Sequence, residues 1–205
     1  MVKRKKSVKK SRKENFFKEN YSLSWDYIGE TKNYIYSLIG IFVLFILIGA
    51  FLPTPEHIEK LIFEFIQELL LKSEGMTRGE LVNFILFNNL KSSFFGSLYG
   101  VFLGIFPILS SMTNGYLLGF VSMKSVESAG AVSLWKLFPH GIFELPALFI
   151  SLGMGLRLGT FIFQKEKIDS LKYYLVNSFR VFVLIVVPLL IVAAIIEGSL
   201  IFLGS

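Results

Sequence analysis

"YIYSLIGIFVLFILIGAFL", residues 34–52, carries no charge over its whole length and, at a helical rise, extends about 28 Å. That nearly matches the ~30 Å hydrocarbon core of a bilayer, so the stretch reads as a membrane-spanning helix. Composition agrees: 53% of the 205 residues are hydrophobic, only 18% are charged, and mean hydropathy is +0.62, too apolar for an ordinary soluble domain. Cysteine is absent, which excludes disulfides and thiolate chemistry.

On the N-terminal side of that span the charge is concentrated. Residues 1–20 hold nine Lys/Arg against Glu14 and Glu19, net +7, which leaves −1 for the rest of a chain whose total is +6. Beside a span, such a run reads as a cytoplasmic arm held near anionic lipid rather than as a nucleic-acid binder. Disorder is expected to about Asn20, and the division is residues 1–33 as a basic, partly disordered cytoplasmic arm and 34–205 as the transmembrane domain. The apolar run begins too late for a signal peptide and lacks a small-residue cleavage site, so it is read as an anchor that stays.

On the C-terminal side, residues 53–80 place Ile58, Leu61, Ile62, Phe65, Ile66, Leu69 and Leu70 at helical spacing, the pattern of an external amphipathic helix. Its polar face carries Glu59, Glu64 and Glu68. It lacks the Lys/Arg face that binds anionic lipid, so packing on the bundle or a partner is expected.

The next apolar run, residues 81–106, enters through Asn88, Asn89 and Lys91 and carries Gly96, Gly100 and Gly104 at four-residue intervals, a smooth stripe that lets another helix come close. Residues 107–123 hold Asn114 with a second spaced pair, Gly115 and Gly119, and read as a short third span. In residues 134–160, Pro139 and Gly141 imply that the chain from Trp135 to Gly141 enters as a broken or half helix before a longer one takes over, with Gly141 counted among the packing glycines. The last apolar run, uncharged over residues 181–196, has Pro188 as an expected kink and Glu197 near its far end. The fold class is therefore all-α, a polytopic helix bundle of about five transmembrane segments. Five Lys/Arg between Arg157 and Arg180, against acidic residues 53–80, put the N-terminus in the cytoplasm of a multi-pass cell-membrane protein.

Two titratable groups stand out within the apolar fourth segment. His140 and Glu144 share a helical face that continues through Ala147, Ser151 and Gly155, too small and polar to show to lipid. The pair binds a cation, relays protons or ties helices together. Glu197, Asn88, Asn89 and Asn114 complete the intramembrane polar candidates, Asn114 as an interhelical hydrogen bond. No catalytic motif is present: with only His57 and His140, there is no zinc-protease, serine-hydrolase or phosphate-loop pattern. No enzyme activity, cofactor, metal or nucleic-acid partner is expected.

Residues 87–120 with their paired asparagines and N-G-x-x-x-G, the P-H-G-x-x-E segment at 139–144, and the late I-E at 196–197 resemble, in order, the signatures of the stage II sporulation protein M family. The resemblance places Asn88, Asn89, Asn114, Gly115, His140, Gly141, Glu144 and Glu197 at the family's motif positions. It implies an integral membrane scaffold without enzymatic activity, of the kind that organises wall hydrolases during spore engulfment, although relatives also occur in organisms that never sporulate. The expected partners are the lipid bilayer, other membrane or cell-envelope proteins, and further copies of the chain in a homo-oligomer such as a dimer. The alternative function is a small ion- or proton-coupled transporter, channel or channel subunit that uses His140 and Glu144.

Overall fold

The computed structural model describes residues 2–136 and 138–204, with the side chains of 2–14, 133, 135–140 and 203–204 left outside the description. Among the described residues all regular structure is helical: α1 (Val2–Phe51), α2 (Glu56–Ser73), α3 (Arg78–Leu98), α4 (Ile105–Ala129), α5 (Phe138–Gly159), α6 (Lys167–Val181) and α7 (Val187–Gly204). A π turn over Phe182–Val186 joins α6 and α7 into one rod. That wider turn lies immediately before Pro188, where the missing backbone N–H would interrupt an ordinary α ladder. Arm and first span are likewise one rod, since α1 passes through residue 33 without a break.

The direction of each helix follows from its contacts. Ser111 Oγ donates to the Leu38 carbonyl at 2.8 Å, Gly115 faces the carbonyl of Phe42 and Gly119 that of Ile46, so α1 and α4 run parallel. Gly96 meets Leu152, Gly100 meets Gly155 and Gly104 meets Leu156, so α3 and α5 are parallel too. Phe149 stacks on Phe42 while Gly153 faces Ile35, which sets α5 against α1. Phe182 stacks on Phe94 while Gly198 lies on Val82, which sets α7 against α3. The chain therefore alternates direction through α1, α3, α4, α5 and α7. Helix α5 is central, touching all the other bundle helices, and its Ala147, Leu152, Met154 and Leu158 are buried.

Four helical stretches are long and apolar enough to cross a membrane: Asn15–Phe51, Ile105–Ala129, Gly141–Phe163 and Lys167–Phe202. Of the five expected segments, residues 81–106 are the one outside this set. They end as a helix at Leu98, and Arg78, Glu80, Asn88, Asn89 and Lys91 dilute what remains. The reversal between α3 and α4 occupies residues 99–104, where Leu103 and Gly104 both take positive φ, 59° and 71°. The interruption expected between Trp135 and Gly141 falls at the start of that stretch, before Pro139. A 3-10 turn, Ala131–Lys136, precedes α5, and Pro139 sits in the first turn of α5, where its absent N–H has no helical partner to lose. Pro146 does lie inside α5 and removes one ladder bond there.

Helix α3 is started by a capping box. Thr77 N donates to Glu80 Oε2 at 2.9 Å and the Thr77 hydroxyl accepts from the Glu80 backbone. The Thr77 N–H and hydroxyl hold the exposed Glu80 carboxyl below its ordinary value, so this contribution is present at neutral pH and is lost as pH falls through that lowered value. Thr77→Ala is expected to destabilise the protein by about 1 kcal/mol. Faster amide exchange confined to the first turn of α3 checks it, and exchange unchanged there would contradict the cap.

Candidate functional site

The small-residue face of α5 is packed where α3 and α7 meet it. Gly155 sits against the backbone of Ser97, with 2.7 Å from the position of an added Cβ to the Ser97 carbonyl. Ala147 and Ser151 are fully buried, as are Ala193 and Ala194 of α7. The Ser151 hydroxyl has no hydrogen-bond partner among the described residues.

Glu144 is half-buried on this face of α5, and Glu197 is half-buried on α7, which packs against α5. Two turns back along both helices from the Gly96–Leu152 contact, the α3–α5 register sets Asn89 at the level of Leu145, beside Glu144. Asn89 is half-buried, whereas Asn88 is exposed in a surface groove with Asn83, Phe87 and Lys91. The His140 side chain lies outside the described residues, so its approach to Glu144 is not part of this geometry. Asn114 is elsewhere: its carboxamide donates to the Ser110 carbonyl one turn back in α4, at 2.8 Å, rather than to another helix. Two carboxylates among small residues have the chemistry to share a proton or a cation. Among the described residues no three of His, Asp and Glu gather as a metal site would require.

The glycines divide by what faces them. Gly96, Gly100 and Gly104 meet α5, and Gly115 and Gly119 meet the backbone of α1, so both stripes pack within the chain. The α1–α4 contact is reciprocal, because Gly49 of α1 faces the Tyr116 carbonyl. Gly141 differs: among the described residues, an added Cβ meets only Leu145 of its own helix within 4 Å.

A second polar cluster had no place in the sequence reading. At the other end of α5, the Arg157 guanidinium lies 4.6 Å from the Tyr27 ring and 4.9 Å from that of Tyr174. It donates to Glu30 at 2.7 Å and to Thr31 at 3.1 Å, with 12% of the side chain exposed. Tyr173 donates to the same Glu30 carboxylate, and Tyr27 OH lies 3.2 Å from Ser178 Oγ. This knot ties the N-terminal half of α1 to α5 and α6. The only sequence signal for it is a single charge between Gly155 and Gly159, which also counts as an ordinary basic loop residue.

Comparison with known proteins covers most of the chain. Over 108 residues it is 35% identical to an uncharacterized protein of Methanocaldococcus jannaschii, covering 49% of this chain and 48% of that one. The chain thus spans about half the length of that curated relative. No solved structure matches it. The family profile for stage II sporulation protein M matches residues 38–200, a range that includes both glycine stripes, Glu144, Arg157 and Glu197. By that match the chain belongs to the stage II sporulation protein M family.

Proposed function

We propose that this protein is a non-enzymatic membrane scaffold that recruits other membrane or cell-envelope proteins, with its N-terminus in the cytoplasm. The observation that carries this reading is how its surfaces are used. Both glycine stripes are packed inside the bundle, which makes a close-packed platform, and two further elements carry surface outside that packing. One is the N-terminal part of α1 with its nine Lys/Arg, the other is α2, in which no residue is buried. Self-association into a homo-oligomer then uses surfaces other than the glycine faces.

The test is purification from native membranes in mild detergent after cross-linking. The chain is expected to copurify with discrete partners. Replacing the Lys/Arg of residues 3–13 with Gln is expected to remove the cytoplasmic ones while thermal unfolding stays unchanged. Recovery of the chain alone under both conditions would contradict the scaffold.

Two half-buried acids, Glu144 and Glu197, on the packed helices α5 and α7 favour one second reading, cation or proton transport through the α5–α7 seam. Under the scaffold reading, Glu144→Gln keeps the side chain's shape and its capacity to hydrogen-bond, so its unfolding temperature is not lowered, and neither form gives flux above empty liposomes. Flux in the wild type that disappears in a normally folded Glu144→Gln variant would replace the scaffold with a transporter.

A further inference from the structure

Helix α2 is amphipathic, yet the bundle covers only part of its apolar arc. Ile58, Ile62, Ile66 and Leu69 are half-buried, Phe63 stacks on Phe120 of α4 at 5.9 Å, and Glu59 pairs with Lys124 of α4 at 3.2 Å. Two positions along a helix turn it by about 200°, so Leu61 and Phe65, on either side of Phe63, point away from α4. They are 58% and 48% exposed.

Both ends of α2 are tethered to the same end of the bundle. Four-residue links connect it to α1 and α3, each reaching at most about 14 Å. Thr54 in the first link bonds the Tyr116 hydroxyl at 2.8 Å, and Arg78 just beyond the second donates to Ser199 at 2.9 Å. A helix about 27 Å long, tethered in this way at both ends, runs along the bilayer surface rather than standing away from it. Its first link continues the apolar surface of Phe51 and Leu52, which are exposed at the end of the first span.

We infer that α2 is an interfacial helix whose Leu61 and Phe65 flank is immersed in the adjacent lipid leaflet, while Lys60, Glu64 and Gln67 face water. The charge pattern specifies the kind of lipid contact. Residues 56–73 carry four Glu and two Lys, and both lysines are paired with glutamates one turn away. No cationic face is left to recruit anionic headgroups, so the contact is made by apolar area at the headgroup boundary and does not depend on anionic lipid.

The chain has no cysteine, so single spin labels at Leu61→Cys, Phe65→Cys and Gln67→Cys in the full-length protein test this directly. In phosphatidylcholine vesicles the labels at 61 and 65 are expected to collide more with oxygen than with a water-soluble nickel chelate, and the label at 67 the reverse. Adding phosphatidylglycerol should leave the pattern unchanged. Three results would overturn the inference: labels at 61 and 65 that prefer the nickel chelate, labels shielded from both reagents by protein, or dipolar broadening at 65 that vanishes on dilution with unlabelled chain. The last would identify the occupant of this flank as a second copy.

Discussion

Gly100→Ala is expected to destabilise the protein by about 2–3 kcal/mol, and Gly100→Leu by more, because nothing at this position can move aside cheaply. A Cβ at Gly100 would lie far inside contact with the backbone of Gly155, including its carbonyl, and Gly159 in turn faces the backbone of Gly104. Steric conflict with a side chain is relieved by a change of rotamer. Conflict with backbone on both sides requires the two helices to separate, which forfeits contacts along their length. Gly119→Ala should behave the same way at the α1–α4 contact, where the obstacle is the Ile46 carbonyl. Gly29 and Gly40 are the controls: both lie within α1 with nothing near the added methyl, so replacement by Ala should stabilise by about 0.5–1 kcal/mol. Thermal unfolding in detergent reads all five variants. Equal effects at Gly100 and Gly29 would show that the stripe faces lipid rather than helix α5.

Arg157→Leu is expected to cost on the order of 3 kcal/mol, combining charge-assisted hydrogen bonds with desolvated cation–π contacts. The loss is not confined to one contact. Without the guanidinium, Glu30 keeps only Tyr173 as a hydrogen-bond donor, and the Tyr27 and Tyr174 rings face a void between α1, α5 and α6. Arg157→Lys restores the charge but neither the planar stacking nor the forked donation to Glu30 and Thr31, so it should recover less than half of the loss. Tyr27→Phe keeps the ring and removes the hydroxyl contacts with Ser178 and the Tyr174 carbonyl, for about 1 kcal/mol. A lysine variant as stable as the wild type would mean that net charge, not the stacked geometry, holds this end together.

Several features of the fold are visible in the sequence because they depend on short-range periodicity. The uncharged residues 34–52, the helical spacing of Ile58 to Leu70 and the four-residue glycine intervals each specify a face or a length on their own. The reversal at residues 99–104 is different. Tyr99, Val101, Phe102 and Leu103 are as apolar as the helices on either side, so hydropathy runs through the turn without a dip. The clue is Pro107, a residue suited to the first turn of a helix, with the left-handed Gly104 just before that helix begins. Composition also assigns the basic run and the span to separate regions, because charge and hydropathy change at residue 33, although one helix passes through both. Glu144 and Glu197 are noticeable singly as acids in apolar surroundings, but their placement on two helices packed together depends on the α5–α7 contact, which no local pattern encodes. The Arg157 knot is the least legible element. Its partners on α1 lie more than a hundred residues away, in a segment whose charge suggests a solvated arm.

Alternation of five helices through the bilayer underlies every part of this account, and α3 is where it is most exposed to contradiction, being the one bundle segment outside the four strongly apolar ones. Side-specific labelling of single cysteines with a membrane-impermeant reagent measures it. Gln67→Cys on α2 and Ser128→Cys at the end of α4 should label in intact cells. Phe102→Cys in the α3–α4 turn and Lys165→Cys before α6 should label only after the membrane is opened. Labelling of Phe102→Cys in intact cells, together with Gln67→Cys, would show that α3 does not cross and would contradict the alternating bundle.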